Sequence, residues 1–219
     1  MIKPHTGIGM TSQRTRMRMI ERLRAQGIRD EVVLSVLGEV PRHVFVDEAL
    51  ASRAYEDIAL PLGFGQTISS PYTVARMTEL ARAGAAINKV LEIGTGCGYQ
   101  AAILARLAKE VYSIERISAL LAKARRHVRD LRISNVRLRH TDGQAGMPDA
   151  APFDVIIMSA AATHIPRELM EQLGVGGRMI VPICQGGEQR LRMIERSANG
   201  YIEKKMDTVK FVPLLPGTA

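Results

Sequence analysis

The run Val90-Leu91-Glu92-Ile93-Gly94-Thr95-Gly96-Cys97-Gly98-Tyr99 constrains this chain more than any other feature. Its first four residues read as a short buried strand. Three glycines in five positions then read as a tight turn into a helix rich in Ala and Leu over 99–108. The pattern repeats downstream. A strand is predicted over 110–114, followed by a helix whose apolar face carries Ile117, Leu120, Leu121, Ala124, Val128 and Leu131. Strands follow at 136–139 and 153–159, a helix at 167–173, and a strand at 177–182. Residues 189–214 read as two or three antiparallel strands. The expected fold class is α/β: a doubly wound, mostly parallel sheet with an N-terminal helical extension and antiparallel C-terminal strands.

The first third reads as helical. Thr11 or Ser12 caps a helix bearing Met17, Ile20 and Leu23 that stops at Gly27, and Asp30 caps a second, with Val33, Leu34 and Leu37, that ends before Pro41. A third short helix is predicted around 44–50. Residues 59–70 hold two glycines and no helical period, and Ser70-Pro71 reads as a cap with proline in the first turn of a helix running to about Gly84. No repeat or low-complexity linker interrupts the chain. One domain is expected over 1–219: a helical substrate or cap region at 1–84, a cofactor-binding core at 85–186 and C-terminal strands at 187–219.

Composition narrows the partners. With 46% hydrophobic and 24% charged residues over 219 positions, the chain can build a core. Its 30 Lys and Arg against 22 Asp and Glu give +8, but no block of five like charges occurs, so a solvated basic surface is expected and no nucleic-acid partner. Aromatics at 4%, with no Trp, weigh against base-stacking platforms. Cys97 and Cys184 make no disulfide framework. Neither they nor His5, His43, His127, His140 and His164 show ligand spacing, so no metal site is expected and the histidines read as structural or exposed. Met1 to Gln13 is polar, and no run approaches the ~18 apolar residues of a membrane span. A cytoplasmic monomer is the expectation.

The glycine turn points to a ligand. Glycines there let it approach the backbone, and Glu115, closing the next strand, can accept both hydroxyls of a ribose. A dinucleotide fingerprint would place glycine where Tyr99 stands. Glu92 would disfavour a pyrophosphate yet attract an ammonium. Adenosine joined to a cationic amino acid fits, and S-adenosylmethionine is such a molecule. The segment resembles the cofactor loop of class I methyltransferases, which implies a Rossmann-like fold. In that class an acid after the third strand faces the adenine amino group, where Thr141-Asp142-Gly143 stands here. The candidate cofactor residues are Glu92, Gly94, Thr95, Gly96, Gly98, Glu115, Asp142 and Gly143.

The fourth strand ends in Ser159-Ala160-Ala161-Ala162, without the Asn-Pro-Pro-Tyr loop of base-amino methylation or a nucleophilic Cys. Gly65-Gln66-Thr67-Ile68-Ser69-Ser70-Pro71-Tyr72, Val40-Pro41-Arg42-His43-Val44-Phe45-Val46-Asp47, Ile58-Ala59-Leu60-Pro61, Arg76-Met77-Thr78-Glu79-Leu80 and Phe211-Val212-Pro213-Leu214 resemble the protein-L-isoaspartate O-methyltransferase family in its bacterial form, over about 16–217. Departures fall at Ser70 and at Tyr72-Thr73-Val74. The resemblance implies as acceptor the α-carboxylate of an L-isoaspartyl residue in a damaged protein, whose ester closes to a succinimide and begins repair. It also implies Ser69 as the active-site serine, with Gln66, Thr67, Ile68, Val212 and Pro213 flanking an extended substrate peptide. A carboxylate is already ionised at neutral pH, so no general base is nominated. Ser69 also fits an ordinary helix cap, and Asp57 either braces the Ser69 loop or is a surface acid. Open alternatives are a methyltransferase acting on RNA or a small molecule, and a module that binds cofactor without transfer. Tyr99 and Glu92 disfavour a nicotinamide dehydrogenase.

Overall fold

The computed structural model describes residues 9–219; His5 and the reading of the first residues lie outside that range. Local capping starts the helical region as the sequence suggests. Ser12 caps α1 (Gln13–Ala25), Asp30 caps α2 (Glu31–Glu39) through the amides of Val32 and Val33, and Asp30 also pairs with Arg82. The predicted third helix is instead two 3₁₀ turns, Arg42–Phe45 and Glu48–Arg53, separated by extended backbone at Val46 and Asp47. Tertiary anchors hold the first turn: Phe45 packs edge-on to Tyr99 and His127, and the buried Arg42 donates through Nε to Ala54 O at 2.7 Å.

Residues 60–68 form a hairpin rather than a loop, β1 (Leu60–Gly63) against β2 (Gln66–Ile68). Leu60, Leu62 and Ile68 point inward and supply its apolar side. Helix α3 (Pro71–Arg82) follows at once, capped by Ser70.

The main sheet contains β3 (Ile87–Ile93), β4 (Ala108–Glu115), β5 (Val136–His140), β6 (Phe153–Met158), β7 (Leu173–Gln185), β8 (Glu188–Ser197) and β9 (Gly200–Thr208). Their order is β5-β4-β3-β6-β7-β8-β9; the first five run parallel, and β8 and β9 add antiparallel. Residues 90–93 and 155–158 are buried without alternation, because helices cover both faces of the central strands. Helices α4 (Tyr99–Leu104), α5 (Ser118–Asp130) and α6 (Arg167–Glu171) complete the crossovers. Helix α4 stops short of its predicted end because Asn135 Nδ2 donates to the carbonyls of Ala105 and Ala108, both at 3.0 Å, and ties the chain back into β4.

Leu23, Leu37 and Phe45 from the helical region share one buried cluster with Tyr99, Ile103 and Leu120 beside the sheet. The helices before β3 are therefore packed directly onto the elements that flank the glycine turn. No described helix is long and apolar enough to cross a membrane.

Candidate active site

The strand order reverses at β3, whose neighbours are β4 and β6, so a crevice opens beyond the carboxyl ends of these strands. A cavity of about 950 Å³, open mouth included, occupies it. Gln66, Thr67, Ile68 and Ser69, residues 92–97, Glu115 and Val212 to Leu215 all line it.

The turn is built on left-handed backbone at Gly94 (φ 95°) and Gly98 (φ 88°). A Cβ on Gly94 would sit 3.3 Å from Ser159 Cβ, and one on Gly98 3.3 Å from Ala124 Cβ, so both conformation and close packing require glycine. Glu115 fixes the turn from the next strand: Oε2 accepts from Gly96 N at 2.8 Å and Oε1 from Ile117 N at 2.9 Å. Each oxygen keeps a lone pair for a ligand hydroxyl. His127 Nδ1, 2.8 Å from Cys97 O, secures the turn from α5, so this histidine is structural.

Glu92 is fully buried on the cavity wall. Ser113 Oγ donates to its Oε2 at 2.5 Å and is itself bonded to Thr95 Oγ1 at 2.6 Å, while Oε1 has no partner among the described residues. Burial pushes this carboxyl up to about 8, with the nearby Glu115 adding to the rise and the Ser113 bond opposing it. A buried carboxylate oxygen facing a cavity is an acceptor prepared for a cation.

Ser70, not Ser69, is the helix cap: its Oγ accepts from Thr73 N at 3.3 Å. Ser69 thus reaches the cavity with its hydroxyl uncommitted among the described residues. Asp57 braces the loop, accepting from Tyr72 N at 2.9 Å and from Gln26 Nε2 at 2.8 Å, so it ties the start of α3 to α1.

Against this geometry the pattern of the family described as protein-L-isoaspartate(D-aspartate) O-methyltransferase matches residues 14–219. The chain belongs to this family. A protein-L-isoaspartate O-methyltransferase from Methylobacillus flagellatus is 62% identical over 217 residues, covering 97% of each chain. One from Dechloromonas aromatica is 61% identical over 213 residues, covering 97% of this chain and 98% of the relative. A solved protein-L-isoaspartate O-methyltransferase superposes with a TM-score of 0.82 at 29% identity, covering 90% of this chain and 65% of that longer one. A Plasmodium falciparum structure, described as a candidate enzyme of the same name in complex with S-adenosyl-L-homocysteine, gives 0.78 at 25% identity, covering 90% and 97%.

Within the protein-L-isoaspartate O-methyltransferase fold seen here, two nominated cofactor residues stand apart. Glu92, Gly94, Thr95, Gly96, Glu115 and Gly143 line the cavity, but Gly98, packed against Ala124, and Asp142 do not. Asp142 is engaged elsewhere. Its Oδ1 accepts from Gln144 N at 2.8 Å and its Oδ2 from Gly217 N at 2.7 Å, and it borders a separate hollow with His164 and Glu168. Two backbone amides, of Gln144 and Gly217, thus engage both oxygens of the carboxylate. Val212 and Pro213 are held by Ala161, whose N donates to Val212 O and whose O accepts from Leu214 N, both at 2.8 Å. Gln100, Arg116, Ser159 and Leu215 also line the cavity and were not nominated from the sequence. Only Ser159 carried a usable signal, its place at the carboxyl end of the fourth parallel strand.

Proposed function

We propose that this chain is an S-adenosylmethionine-dependent carboxyl O-methyltransferase that methylates the free α-carboxylate of L-isoaspartyl residues in damaged proteins and peptides and so starts their repair through a succinimide. Family membership supports the substrate class, and the orphaned Oε1 of Glu92 on the cavity wall is the observation that carries the cofactor. Glu92 would receive the ammonium of the cofactor's amino-acid part, the glycine turn at 94–98 would let the cofactor approach the protein backbone, and Glu115 would take the ribose hydroxyls. Gly143 borders the remaining space, with Asp142 shaping that turn. When bound, the cofactor supplies an electrophilic methyl group on a sulfonium.

The protein's own task is positioning. The acceptor carboxylate is ionised at neutral pH and needs no base. Ser69 Oγ, free of any capping duty, donates to this carboxylate and aims it, while Gln66, Thr67 and Ile68 on one side and Val212 and Pro213 on the other hold the extended peptide by its backbone. Oriented approach in a water-poor cleft is enough to accelerate such a transfer. The buried cluster joining the helical region to the elements beside the sheet supports one domain over the described residues. The scattered basic residues, with no block of five like charges, support a chain without a nucleic-acid partner.

The test is incubation with methyl-labelled S-adenosylmethionine and an isoaspartyl peptide. Base-labile label on the peptide is expected, and cofactor binding with no labelled peptide would sink the reading.

A further inference from the structure

Gly63 pairs with Gln66, so the β1–β2 hairpin turns on two residues, Phe64 and Gly65, at φ 55° and 68°. Positive φ at both positions marks a type I′ turn, which favours Asn or Asp in the first place because a side chain with a bulky Cβ substituent is strained there. Phe64 occupies that place with 60% of its surface exposed, and it belongs to no buried cluster. This aromatic neither suits the turn nor packs into the fold. Exposure alone would be ordinary, but positive-φ strain at a bulky aromatic beside the cavity points to a contact made with something else.

Its location says with what. The strand leaving the tip places Gln66, Thr67, Ile68 and Ser69 on the cavity wall, and Gln66 Nε2 donates back to Phe64 O at 3.3 Å. At a strand rise of about 3.3 Å per residue, Gln66 stands roughly 10 Å from Ser69 and the tip lies one turn beyond it. A peptide laid along β2 with its isoaspartate at Ser69 brings a residue four or five positions away beside Phe64. We infer that Phe64 is a substrate-specificity residue: it receives an apolar side chain of the polypeptide flanking the isoaspartate, outside the reaction cavity. This rests on the reading that β2 borders the bound peptide. The contact favours segments free to extend along β2 while presenting an apolar side chain at the tip, which an unfolded or flexible chain can do and a segment packed in a native fold cannot.

Phe64→Asn tests this without endangering the fold, since Asn suits the turn. The substrates are a short isoaspartyl peptide that ends before the tip and two long ones carrying either Leu or Ser at the fourth and fifth positions on both sides of the isoaspartate. The expected result is a rise in KM of about five- to tenfold for the Leu peptide, with less than twofold change for the Ser and short peptides. S-adenosyl-L-homocysteine affinity should be unchanged and thermal stability unchanged or higher. An unchanged KM for the Leu peptide, or an equal rise for all three, overturns the inference. Concentration-dependent self-association lost in the variant, with KM unchanged, assigns Phe64 to a contact between copies and also overturns it. If the natural chain methylates none of the peptides, the reading of the site falls as well, a failure separate from any effect of Phe64.

Discussion

Ser113 Oγ and Glu92 Oε2 are hydrogen-bonded at 2.5 Å, and among the described residues this single bond is all the support that a fully buried carboxyl receives. The carboxyl is held at about 8 chiefly by burial, so near neutral pH the free protein carries it protonated. A cation beside Oε1 reverses that preference. Cofactor binding at pH 7 is therefore expected to release a proton and to tighten as pH rises toward 8, which calorimetry in buffers of different ionisation enthalpy checks.

The same carboxyl sets a stability trend. Its folded value lies above the unfolded one, so the folded chain binds more protons between about 4.5 and 8, and stability falls as pH rises through that window. Glu92→Gln should stabilise the free protein at pH 8 to 9 while weakening cofactor binding and flattening its pH dependence. Thermal unfolding and binding, each measured at pH 6 and pH 9, decide this.

Ser69 reaches the cavity because Ser70 takes the capping bond of α3. Ser69→Ala should lower the single-turnover rate about ten- to hundredfold, the worth of one hydrogen bond to a charged group. Cofactor affinity should stay within twofold. Equal loss of both would remove Ser69 from the positioning role.

Glu115 serves the turn and the ligand with the same two oxygens. Glu115→Gln sets an amide N–H₂ against the N–H of either Gly96 or Ile117, both now bonded to carboxylate. The cost should be about 1–3 kcal/mol in stability together with weaker cofactor binding. Unchanged values in denaturant unfolding and calorimetry would contradict this.

Asp57 holds the amide of Tyr72 at the first turn of α3, next to Ser69. Asp57→Ala should cost about 1–2 kcal/mol in stability and slow transfer without changing cofactor affinity. Asn keeps an acceptor oxygen and should restore most of the rate, a rescue that a purely surface acid would not show.

Sequence was informative wherever the deciding chemistry is local. Ser12, Asp30 and Ser70 cap their helices as their positions suggest, and the three-glycine turn lines the cavity because backbone conformation requires it. Tertiary partners decided the rest. Asn135, 30 residues after Ala105, ends α4 early. The hairpin gave no signal because its strands are so short and because Phe64 stands where Asn would announce the turn. Asp142 carries the residue type suited to adenine, yet Gly217 N, 75 positions on, engages its carboxylate. Arg116 Nε donates to Gly217 O at 3.1 Å in the same long-range closure, which brings Leu215 to the cavity.

The most direct test uses two peptides identical except that one contains L-isoaspartate and the other L-aspartate, incubated with the chain and methyl-labelled S-adenosylmethionine. Base-labile label is expected on the isoaspartyl peptide alone, followed by its partial conversion to the aspartyl form. Equal labelling of both, or of neither while cofactor binds, would contradict the assignment.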